Sequence, residues 1–164
     1  MRTKQLLAGL FVLLATLTST AAAASADEAR YCVTDLATGT EECYTSSEAV
    51  QRDLAASEAV PVLYAYQHIN YNRDEDGLLT IFTSPTTCTT AYDNELNKKR
   101  ATLVQHKMIS SWATADYCRV RFWENQNFVL PQSALSHVGT DCPDMRTCFG
   151  SQNWNDRAAS LALT

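Results

Sequence analysis

Six cysteines, Cys32, Cys43, Cys88, Cys118, Cys142 and Cys148, constrain what this chain can fold into more than any other feature. An even number of cysteines in an exported chain predicts disulfides. Export is predicted by the first 26 residues. Arg2 and Lys4 open the chain, an apolar run follows from Leu6 to about Leu17, and small residues from Ala21 to Ala26 precede the first acids, Asp27 and Glu28. That is the layout of a cleaved secretory signal. The apolar run falls short of the ~20 residues that a membrane span needs. Zinc is the competing use of cysteine, but no C-x-x-C pair occurs, and His68, His106 and His137 are scattered.

Cleavage after Ala26 leaves one domain's worth of chain with an N-terminal segment. It also removes two of the 13 basic residues, so 11 stand against 18 acidic ones and the mature net charge is −7. An acidic surface without a basic run repels phosphate backbones and anionic lipid, so neither nucleic acid nor membrane is an expected partner. A monomer is expected.

Residues 30–44 read as a hairpin with Ala37, Thr38 and Gly39 at its turn. Cys32 and Cys43 are equidistant from the centre of that turn, which sets them opposite each other as a cross-strand disulfide. Thr45 or Ser46 then caps a short helix with Glu48 in its first turn and Val50 and Leu54 on one face; Pro61 is read as its boundary. Residues 70–77 are polar and read as a linker. From Leu78 onward short β-prone runs alternate with turns: 79–82, 109–112, 117–123 and 158–163. That spacing predicts an all-β sandwich. The expected organisation is a signal over 1–26, a hairpin, helix and linker over 27–76, and a β domain over 77–164.

The β half carries a weak internal repeat. Phe82 aligns with Trp123 at an offset of 41 residues and Gln105 with Trp154 at 49, so the second copy is longer by 8. Residues 141–148 have that length, which makes them an insertion closed by a Cys142–Cys148 disulfide. Cys88 and Cys118 remain as the third pair. Two β-repeats of this size suit a pair of Greek keys packed face to face.

Trp123-Glu124-Asn125-Gln126-Asn127-Phe128 and Trp154-Asn155-Asp156-Arg157-Ala158-Ala159-Ser160 resemble the opening and the close of a βγ-crystallin Greek key. With its export signal and disulfides, the chain resembles the secreted actinobacterial peptidase inhibitors of that fold. It departs from the pattern at Leu130, where glycine is usual, and at Thr87, where an aromatic is usual. The resemblance implies a two-Greek-key sandwich preceded by the disulfide hairpin and short helix.

Microbial members of the fold often bind calcium through a pair of N/D-N/D-x-x-S/T-S stretches. Here these are residues 106–111, with His106 and Lys107 in the acid or amide positions, and residues 155–160, with Ala159 in a hydroxyl position. The resemblance therefore implies at most weak calcium binding, through Asp156 and Ser110, and no other cofactor. The alternative role for Asn155 and Asp156 is to hold a tight turn.

No H-E-x-x-H, G-x-S-x-G or P-loop pattern occurs, and Glu124 beside Trp123 is read as a hairpin residue rather than a carbohydrate site. No catalytic residue is assigned. The resemblance implies an inhibitor whose partner is an extracellular peptidase. The expected inhibitory loop is Cys142, Pro143, Asp144, Met145, Arg146, Thr147 and Cys148, with Met145 and Arg146 at an exposed centre. Removal of that loop is expected to spare the fold. The alternative function is a stable extracellular structural or binding module.

Overall fold

The structure, a computed structural model, describes residues 30–72, 77–89, 99–103, 107–115, 117–137 and 141–164. The expected signal and His106 lie outside the described residues. Eight strands are described: β1 Tyr31–Asp35, β2 Glu41–Tyr44, β3 Val60–Tyr66, β4 Leu79–Ser84, β5 Lys99–Thr102, β6 Ser111–Thr114, β7 Val120–Trp123 and β8 Ser160–Leu163. One helix, α1 Ser47–Ala56, accompanies them. The expected all-β sandwich is present as two sheets, β2-β1-β4-β3-β6 and β5-β8-β7.

The hairpin forms where its sequence places it. Asp35 receives Ala37 N through its side chain and Gly39 N through its carbonyl, and Gly39 has φ 73°, which favours glycine. Cys32 and Cys43 are direct register partners and are bonded. Cys88–Cys118 and Cys142–Cys148 are also bonded, so all three expected pairs form. Ser46 caps α1, accepting from Ala49 N at 3.3 Å.

Pro61 does not bound the helix, which ends at Ala56; it stands in β3. β3 pairs with β4 from Val60 but with β6 only from Leu63 onward, and a register shift lies between Pro61 and Leu63. Pro61 thus precedes the β6 ladder, where its missing N–H breaks no pairing.

The larger sheet is buried on both faces. Leu63, Ala65, Phe82 and Trp112 belong to the core that includes Phe122, Leu161 and Leu163 of the smaller sheet. Tyr66, Leu79 and Ile81 form a second cluster under Val50 and Leu54 of α1, joined by Tyr31, Val33 and Tyr64. Residues 27–76 are expected as a hairpin, short helix and linker that precede the β domain. Instead β1 pairs with β4 in parallel over five positions, and β3 lies between β4 and β6.

The first copy of the repeat begins one strand earlier than the sequence alignment places it, while the second still opens at Trp123. Tyr66 and Tyr71 meet edge to face at 5.5 Å, and Trp123 and Phe128 do so at 5.4 Å. Between each pair lies a 3-10 turn, Ile69–Tyr71 or Gln126–Phe128, with near-identical left-handed backbone at Asn70 (φ 58°, ψ 28°) and Asn127 (φ 57°, ψ 29°). Tyr66, not Phe82, is therefore the counterpart of Trp123. The offset is 57 residues at this opening and 49 at Ser111 and Ser160, so the first copy is the longer by 8 and residues 141–148 are no insertion.

Candidate functional site

Each turn is tied to the last strand of its copy by a serine. Ser111 Oγ accepts from Tyr71 N (3.1 Å) and donates to His68 O (2.6 Å); Ser160 Oγ accepts from Phe128 N (3.2 Å) and donates to Asn125 O (2.8 Å). Beside these serines lie the stretches read as calcium ligands. They cross: Lys107 N donates to Ala158 O and Asp156 N to Ile109 O. This crossing brings Asp156 and Ser110 together, as expected, with Ser110 Oγ donating to Asp156 Oδ1 at 3.1 Å.

The residues present do not fit calcium. The ion takes six to eight oxygens. On the Asp156 side, Ser110 and the Asn155 amide already occupy the two carboxylate oxygens. On the other side stand Lys107 and Ala159, and Glu124 accepts from Arg157 at 2.7 Å. The Arg157 hydrogen bond, aided by the charges of Arg157 and Lys107, holds the Glu124 carboxyl below its usual range. Side-chain cations thus serve Glu124 here. A further cluster of ligand types, Cys32, Glu41 and Cys43, has both sulfurs in a disulfide, which leaves one carboxylate.

The 142–148 segment is part of the sandwich. Cys142 exchanges two main-chain hydrogen bonds with Trp112, on the outer side of β6. Met145 N donates to Ser110 O as Leu103 N donates to Ala159 O at the equivalent place in the other copy. Each copy thus lends a segment to the other copy's sheet, β5 in one direction and residues 142–145 in the other. Met145, expected at an exposed loop centre, is fully buried in the core, and so is Cys142. Pro143, Arg146, Thr147 and Cys148 face solvent. Arg146 is folded back on Asp144, with Nη2 2.6 Å from Oδ2, and this pair lowers the Asp144 carboxyl and raises the guanidinium.

Sequence reasoning passed over the loop after β7. Its main chain is fixed on several sides: Glu124 N donates to Pro131 O (3.0 Å), Asn125 Nδ2 to Leu130 O (2.8 Å) and Asn127 N to Thr102 Oγ1 (3.4 Å). Gln132 bridges back to Trp123, and Leu130–Pro131 is a cis peptide. On this frame Val129 and Leu130 are 57% and 66% exposed. The available signal was Leu130 itself, an apolar residue at the head of a proline turn.

These features define a disulfide-tied, all-β sandwich with one short α-helix among the described residues and an internal two-copy repeat. No protein-family model matches the chain, and no curated protein matches it. Solved βγ-crystallin domains are similar to it. A double mutant of such a domain from Clostridium beijerinckii is 18% identical at a TM-score of 0.40, covering 63% of this chain and 97% of that one. A domain from Flavobacterium johnsoniae is 17% identical at 0.37, covering 63% and 93%. A clostrillin double mutant in complex with nickel is 18% identical at 0.40, covering 63% and 98%.

Proposed function

We propose that the protein is exported after cleavage near Ala26 and acts without catalysis, as an inhibitor of extracellular peptidases. The observation that carries this reading is the state of the exposed loops. Both the 124–132 loop and the exposed side of 142–148 (Pro143, Arg146, Thr147) are held by main-chain hydrogen bonds and by the sandwich beneath them. A loop ordered before it meets a partner loses little entropy on binding. Of the acids whose titration is shifted downward, Glu124 and Asp144 are each engaged by an arginine and Glu48 by its own backbone and Ser46 at the start of α1, which suits scaffolding better than proton transfer.

The test is inhibition of a panel of secreted peptidases of differing primary specificity by the mature protein, together with the mass of the exported form. Nanomolar to micromolar inhibition of at least one enzyme, with an N-terminus near Asp27, is the expected result. A correctly folded protein that inhibits none would leave the alternative, a stable extracellular binding or structural module.

A further inference from the structure

We propose that the tip formed by Val129, Leu130 and Pro131 makes the peptidase contact, with Leu130 filling an apolar primary pocket of the enzyme. The proposal rests on the inhibitory reading above and names the surface and the class of enzyme.

The internal repeat supplies a control for this tip. At the 57-residue offset set by the aromatic pairs, Val129 corresponds to Asn72, each standing just after its turn. The first copy makes the same turn, with the same left-handed backbone and the same serine latch, and carries the polar Asn72 after it. The turn therefore does not require an apolar side chain at the position of Val129. In the second copy Val129 is placed there and, with Leu130 next to it, is left in solvent. Neighbouring apolar side chains exposed on an ordered frame mark a recognition surface more often than isolated ones do.

The frame suits such a contact. Val129 is extended (φ −81°, ψ 134°), and the carbonyls of Leu130 and Pro131 are both engaged inside the loop. The proline ring fixes φ and removes a donor, which stiffens the tip further. Leu130 is thus presented with its side chain free and its backbone set, the arrangement in which one residue can dominate an interface. The tip itself carries no charge, so the pocket it fits is apolar rather than acidic or basic.

The test measures inhibition constants of the full mature protein against three groups of secreted peptidase, preferring apolar, basic or small residues. The wild type should inhibit the apolar-preferring group most strongly. Leu130→Ala should weaken that inhibition about 30-fold, the size of a hot-spot contact. Leu130→Lys should shift preference toward the basic-preferring group. Tyr117→Ala removes an exposed large side chain outside the tip and should change nothing. Circular dichroism confirms that the exposed substitutions leave the fold intact. Inhibition by the wild type that survives Leu130→Ala and Leu130→Lys unchanged overturns the assignment of the tip while leaving inhibition standing. A wild type that inhibits none of the three groups overturns the inhibitory reading and the tip's role with it.

Discussion

Ser111 and Ser160 are fully buried, yet each hydroxyl both accepts and donates, and so closes the turn that its copy of the repeat depends on. In a buried hydroxyl satisfied in both roles, the hydrogen bonds made offset the cost of desolvation. The carboxylates at Glu124 and Asp144 work differently, because their partners are charged and partly in water. Side-chain exposure is 29% at Glu124 and 21% at Asp144, against 38% at Arg157 and 53% at Arg146. Both folded-state values lie below the unfolded ones, through the arginine hydrogen bond first in each case. The sign follows from linkage. These pairs contribute stability above the ordinary carboxylate range, about pH 4, and lose it as pH falls through the depressed folded values. Urea midpoints measured from pH 7 to pH 2 should decline in that acid range, and Glu124→Gln with Asp144→Asn should flatten the decline. An identical acid limb in the double variant would show that other carboxylates govern it.

At the scale of elements, strand pairing explains what the sequence showed and what it hid. The Cys32–Cys43 bond was legible because a hairpin fixes its register locally, through one turn. β3 was hidden by Pro61, which reads as a helix stop or an interruption of a strand. It is tolerated because it sits before the β6 ladder begins. With β3 missing, Phe82 took the place of Tyr66 at the head of the first copy, and the length difference fell on the wrong side. Yet Tyr66 and Tyr71 have the same five-residue spacing as Trp123 and Phe128. The Cys142–Cys148 bond was placed correctly by an argument that the structure does not support. The segment is not a surplus loop but the exchanged strand position, with Met145 matching Leu103. Met145→Ala should therefore cost about 2–5 kcal/mol, as for a large core side chain. Deleting 142–148 with a glycine bridge should prevent folding, seen as loss of the cooperative denaturant transition. A deletion variant with a wild-type midpoint would return the segment to the status of an insertion.

At the scale of the molecule, the question is where the cooperative unit begins. The sequence boundary at residue 76 falls between β3 and β4, which pair antiparallel from Val60 to Tyr66. A fragment of residues 77–164 would lack the strand between β4 and β6. It would leave Phe82 and Trp112 without Leu63 and Ala65 beside them in the core. That fragment should show no cooperative unfolding by circular dichroism or calorimetry. A fragment of residues 58–164 keeps both copies of the repeat but loses β1, β2 and α1. It exposes Leu79 and Ile81, formerly under Val50, and removes Leu36 from the core. Burial of a Val or Leu side chain contributes about 1.5–3 kcal/mol, so the loss is substantial without being fatal. It also opens the edge of β4, from Leu79 to Ser84, where β1 had paired over its whole length. An unprotected apolar edge recruits other strands. The longer fragment should thus melt cooperatively at a lower temperature than the whole mature chain and associate as its concentration rises, which light scattering reads directly. If it melts with the whole chain and stays monomeric, the hairpin and helix are an appendage after all. If the 77–164 fragment folds, β3 is dispensable and the boundary lies where the sequence first placed it.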